Sequence, residues 1–154
     1  MIIALSIFTL LSAAMAVVLS SALSAYRLAT NKNEAMLQAK TAMEWLVRDI
    51  QPPSGIGIGA TDILVPNVIN VTVVGGGWVR YYLDVDTIKR IDSATGQNNI
   101  LAEGVTRFDR TYYDAVNTVT TIPANVRVVE IYITATRNGQ NFEGYTTARF
   151  LPSP

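Results

Sequence analysis

The 154-residue chain contains no cysteine and no histidine. Disulfide staples and Cys/His zinc sites are thereby excluded, and the usual imidazole base and thiolate nucleophile are missing. An extracellular life would have to rest on packing rather than on cross-links. Charge of either sign is absent from Met1 to Tyr26, and neither Gly nor Pro occurs before Pro52. The 12 basic and 12 acidic residues cancel, so there is no general electrostatic drive toward nucleic acid.

The stretch left by these absences, Met1 to Gln51, reads as one long helix. At 1.5 Å per residue its uncharged part extends about 39 Å, enough to cross a hydrocarbon core of about 30 Å. The whole segment, about 76 Å long, must protrude from any domain this chain can build. Met1-Ile2-Ile3-Ala4 lacks the basic start of a secretory signal, and the apolar run is longer than a signal core. A retained membrane or filament-core helix is the expectation. Leu, Ile, Val, Ala and Met dominate it, interrupted by hydroxyls at Ser6, Thr9, Ser12, Ser20, Ser21 and Ser24. In lipid such hydroxyls bond back to their own helix or across to another, and small residues favour close helix pairing.

From Tyr26 onward the pattern becomes amphipathic. Met36, Ala39, Met43, Leu46 and Ile50 recur at intervals of three and four and predict a helix-to-sheet packing stripe. Glu34, Lys40, Glu44 and Arg48 take the other side. Trp45 lies about 180° from Met36, which suggests either contact with another subunit or cover by a loop of its own domain.

Pro52-Pro53-Ser54-Gly55 ends the helix. The expected organisation is a helix over 1–51, a Pro/Gly linker over 52–62 and an antiparallel β-rich domain over 63–154, an α+β fold. Candidate strands with a period of two are Ile69 to Val74, Trp78 to Val85, Thr87 to Ile91, Val105 to Tyr113, Val126 to Arg137 and Phe142 to Phe150. Gly75-Gly76-Gly77 and Asn138-Gly139 read as hairpin connections, and Asp92 to Asn99 as a polar loop. Such a meander can bury the apolar stripe of the helix on one face.

Chemistry is sparse. The glycines at 55, 57, 59 and 75–77 have neither the Lys-Ser/Thr nor the strand-to-helix context of a phosphate loop. Asp84, Asp86 and Asp92 offer oxygen ligands, but without the spacing of a calcium loop. No nucleophile elbow and no Ser-x-x-Lys is present. The expectation is therefore no enzyme, no metal and no cofactor. Asn70-Val71-Thr72 matches the N-glycosylation pattern, which makes Asn70 a candidate site although it falls inside a predicted strand.

An apolar helix that turns amphipathic, stops at a Pro/Gly break and leads into an antiparallel sheet resembles the type IV pilin superfamily. Ala42 to Gln51, Ile100 to Phe108, Pro123 to Val128 and Thr147 to Pro152 are similar, in that order, to segments of the type II secretion pseudopilin J and related minor pilins. The resemblance implies an inner-membrane precursor, trimmed and often N-methylated on its first residue, here Met1. It also implies later extraction into a filament, in the periplasm or at the cell surface, whose core is a bundle of such helices. Filament contacts would then fall on Met1, Leu5, Phe8, Leu11, Met15, Val18 and Ala22, with Trp45 lower down. The partners would be further copies of the chain or related pilins. Two departures stand out. The glutamate common at the fifth position is Leu5, and the helix-loosening Gly or Pro common near positions 14 and 22 is replaced by Ala14 and Ala22. The second departure predicts an unbroken helix from about Ile3 to Ile50. The competing reading is a monomeric membrane-anchored β-domain that binds an extracellular partner or carbohydrate.

Overall fold

A computed structural model of the chain describes residues 2–51, 55–59 and 63–150. One α-helix, α1 (Ile2–Ile50), runs without interruption for 49 residues, about 74 Å. Eight strands follow: β1 (Gly55–Ile58), β2 (Val68–Val73), β3 (Trp78–Asp84), β4 (Thr87–Asp92), β5 (Asn98–Ala102), β6 (Val105–Tyr113), β7 (Val128–Arg137) and β8 (Gln140–Arg149). They form two antiparallel meanders, a five-stranded sheet in the order β1-β2-β3-β4-β5 and a three-stranded sheet in the order β6-β7-β8. The fold is α+β, with the C-terminal half of the helix against the sheets, chiefly β8, β7 and β5.

The turns have local causes. Asn138 and Gly139 both adopt positive φ, +48° and +78°, the backbone that a tight hairpin with matching twist requires. Gly104, at φ +69°, joins β5 to β6, and a Cβ there would lie 2.6 Å from the Thr136 carbonyl oxygen. Only glycine fits so close to that backbone. Here the chain passes from one sheet to the other.

The helix stripe that meets the sheets is Ala35, Ala39, Ala42, Leu46 and Ile50, all buried. Met43 packs at the margin of this core, over Gly144 of β8, where a Cβ would come within 2.5 Å of its methyl carbon. Met36, expected on the stripe, is 40% exposed. Its place is taken by Ala35, because the β7–β8 hairpin binds an adjacent line of the helix. Asn138 Nδ2 donates to Asn31 Oδ1 at 3.1 Å, and Arg137 Nε donates to Glu34 Oε2 at 3.2 Å. Lower on the same side, Gln38 Oε1 accepts from the Glu103 N–H. The alanines let the sheet come close, while Leu46 and Ile50 supply the apolar area, about 1.5–3 kcal/mol for each fully buried side chain.

Two elements were not expected. Residues 55–58, assigned to a linker, form β1 and pair with β2 in the register Gly55↔Val73, Gly57↔Thr72 and Ile58↔Val71, with a bulge. Asn98 and Asn99, assigned to a polar loop, open β5 opposite Ile91 and Arg90. In both, residues poorly suited to sheet, the glycines of β1 and the asparagines of β5, are carried by main-chain pairing with a neighbour, while Ile58 and Ala102 anchor the strands in the core. β7 begins two residues later than expected, since a 3₁₀ turn occupies Pro123–Asn125.

Candidate assembly surface

Among the described residues, nothing packs on the apolar part of α1. Phe8 is 70% exposed and Met15 64% exposed, with Leu11, Val18 and Ala22 likewise on the surface. Leu10, Val17 and Leu19, on other faces, are equally bare. Met1 lies outside the described residues, as does the side chain of Leu5. The helix is long and apolar enough to cross a membrane, with a mean hydropathy of 2.0 over its most apolar window.

Two hydroxyls of that surface, and Thr30 just beyond it, are satisfied by the helix itself. Thr9 Oγ1 donates to the Ser6 carbonyl, Ser24 Oγ to that of Ser20 and Thr30 Oγ1 to that of Tyr26, each at 2.9–3.0 Å. A hydroxyl bonded to its own helix no longer needs water. What α1 offers is a cylinder compatible with lipid tails or with the side chains of similar helices.

At the other end of α1 the sequence reading missed a buried polar knot. Asp49 lies on the packed stripe, three residues after Leu46, and is buried. Its Oδ2 accepts from Tyr81 Oη at 2.6 Å and from Arg90 Nε at 2.8 Å. Arg90 also reaches Asp92 at 3.2 Å. Burial, and then the hydrogen bond to Asp49, push the Tyr81 phenol well above its ordinary pKa. The signal was available, since a carboxylate at an apolar stripe position must find a cation or donors.

Trp45 belongs to this knot. Arg48 stacks on its ring at 3.6 Å and Arg90 at 5.6 Å, its carbonyl accepts from Tyr81 Oη at 3.1 Å, and the ring packs partly buried against the core. Its own domain covers it, so it is not part of the bare cylinder formed by Phe8, Met15 and Val18.

No protein-family model and no curated protein matches this chain. The architecture is nonetheless pilin-like: a long N-terminal helix, apolar and exposed over its first half and packed on antiparallel sheets over its second.

The remaining candidate residues are placed as follows. Asn70, in the middle of β2, is only 8% exposed, and a Cβ on Gly59 would lie 2.8 Å from its Cγ. That burial removes it as a glycan acceptor on the folded domain. Asp84 pairs with Lys89 and Asp92 with Arg90. Among the described residues, no three acidic side chains converge as a metal cage.

Proposed function

We propose that the chain is a structural subunit of a type IV pilus-like filament, assembled by packing of its N-terminal helices, and that it is not an enzyme. One observation carries this reading: among the described side chains from Ile3 to Ala29 the helix is exposed on all sides while the domain below it closes its own core. Apolar surface of that extent must be removed from water, and two environments can do so. Lipid serves before assembly, when the chain is a single-pass inner-membrane protein. Neighbouring helices serve afterwards, in a filament in the periplasm or outside the cell. The finer likeness to pseudopilin J and minor pilins, and with it trimming and N-methylation at Met1, belongs to the same proposal.

Electron microscopy of sheared cells, with mass spectrometry of the recovered material, tests it. Thin filaments containing this chain are expected. Recovery of the chain only as single molecules in the membrane fraction would overturn the proposal in favour of a monomeric anchored domain.

A further inference from the structure

The three-stranded sheet has two dissimilar borders. β8 pairs with β7 through ten consecutive residues with no bulge. Phe150 N–H donates to the Arg127 carbonyl at 2.9 Å, so strand alternation turns the main-chain groups of the even-numbered residues toward β7. Those of Glu143, Tyr145 and Thr147 point away from the sheet, and among the described residues they meet no protein partner. Natural edges of this length are ordinarily blunted by proline, bulges or lysine. From Gly144 to Ala148 this one has none of them, and no charge.

Beside that edge runs a groove of about 480 Å³ between α1 and β8. Met43 and Val47 supply its apolar wall, and Lys40, Glu44, Arg48 and Gln51 its polar rim. Tyr145 and Thr146, which project from opposite faces of β8, both line it, so the groove wraps around the bare edge.

The opposite border of the same sheet carries an extended piece of chain. Thr120 N–H donates to the Tyr112 carbonyl and Asp114 N–H to that of Thr118, which seats residues 118–120 along the outside of β6 through a Tyr113↔Val119 bridge. The same alternation turns the main-chain groups of Val119 and Thr121 outward. Val119 and Ile122 are exposed, and no charged residue occurs from Ala115 to Val126.

We propose that the β8 edge and its groove receive the Thr118–Ile122 segment of a second copy, which adds a strand and continues the sheet from one molecule to the next. The two borders match in main-chain chemistry: each presents outward N–H and C=O groups short of partners along an uncharged, Thr-containing run, Gly144 to Ala148 on one and Ala115 to Val126 on the other, while Lys40, Glu44 and Arg48 line the polar side of the groove. The two borders are also different patches of one molecule. Such a head-to-tail contact need not close and can propagate along a polymer. The inference rests on the filament reading and supplies a lateral contact between domains, additional to the helix bundle.

The cysteine-free chain makes the test direct. Thr121→Cys and Thr147→Cys are introduced singly and together, and sheared filaments are treated with a short bis-maleimide. The double variant is expected to give a ladder of covalent oligomers beyond the dimer, and each single variant only monomer. Filaments of normal appearance with no ladder would overturn this contact and leave the helix-bundle proposal standing. Absence of filaments from the unsubstituted chain would overturn both. A dimer from Thr147→Cys alone would mean that two β8 edges pair with each other, which also refutes the proposal. Thr147→Pro, which removes an outward N–H while sparing the β7 ladder, is expected to lower filament recovery at least about tenfold with the monomer's melting temperature unchanged. Unaltered recovery would count against the contact.

Discussion

Tyr81 of β3 donates its phenolic hydrogen to the buried carboxylate of Asp49, near the end of α1, at 2.6 Å. Arg90 of β4 joins the same oxygen at 2.8 Å, so one carboxylate ties the helix to two strands of the five-stranded sheet. Removing it leaves the little-exposed Arg90 guanidinium with Asp92 alone and the Tyr81 phenol with only the more distant Trp45 carbonyl. Asp49→Ala is expected to destabilise the domain by about 3–5 kcal/mol. Tyr81→Phe, which leaves the ion pair intact, should cost about 1 kcal/mol. Urea unfolding of both variants and of the double variant checks this, and additivity of the two losses would contradict a shared knot.

The same phenol sets an alkaline limit. Its pKa is raised in the folded state, so folding favours the protonated form. The stability this confers is complete below the ordinary tyrosine pKa of about 10. It declines as pH rises above that value, and is lost once pH passes the elevated one. Urea midpoints measured between pH 8 and 11 should fall for the unaltered chain, and the fall should be shallower for Tyr81→Phe.

Met15→Asp places a charge where every neighbour, lipid tail or helix, is apolar. The cost at mid-membrane is about 2.5–3.5 kcal/mol. Filaments should disappear from electron micrographs while the domain keeps its circular dichroism spectrum, since Met15 touches nothing in the chain's own core.

Gly104 and Gly57 predict opposite outcomes for the same change. Gly104→Ala meets both a positive φ and the Thr136 carbonyl, and should lose more than about 1 kcal/mol. At Gly57 an added Cβ meets nothing within 4 Å, and alanine should be neutral or stabilising by up to about 1 kcal/mol. Thermal melts of the two variants decide the matter.

Val85 is 91% exposed and adopts φ +58° at the tip of the β3–β4 hairpin, a conformation that costs a side chain of this kind about 1–2 kcal/mol. Val85→Asn is therefore expected to raise the melting temperature, because asparagine tolerates the left-handed region and nothing in the chain packs on the valine.

The helix was legible in the sequence because its evidence is long-range and redundant: 26 uncharged residues, no glycine or proline before position 52, and a clear stop. Most strands were legible for a similar reason, being runs of β-branched and aromatic residues bounded by turn signals. β1 and β5 were not, because Gly55 and Gly57 in one and Asn98 and Asn99 in the other oppose the strand preference of the isoleucines beside them, and are recruited only once β2 and β4 offer them a ladder. The helix stripe was read one position out of phase at its upper end, where Ala35 displaced Met36. Hydrophobicity alone favours the methionine; the polar ties of Asn31 and Glu34 to the hairpin decide otherwise. That Asp49 needs a partner could be read from its place on the stripe, but which partner could not, because Tyr81 and Arg90 lie more than 30 residues away; the cover of Trp45 by Tyr81 and Arg90 was hidden for the same reason.

The course of α1 along β8 has a mechanical consequence. Glu34 meets Arg137 of β7 at the hairpin from which β8 starts, Met43 meets Gly144 in the middle of β8, and Val47 and Gln51 line the groove beside Thr146. A pull on the greasy tip therefore travels down a rod with no hinge and reaches the β7–β8 pair in the direction of its length. The load falls on the whole packed line from Ala35 to Ile50 at once, so the helix would have to slide along the sheet rather than peel from it.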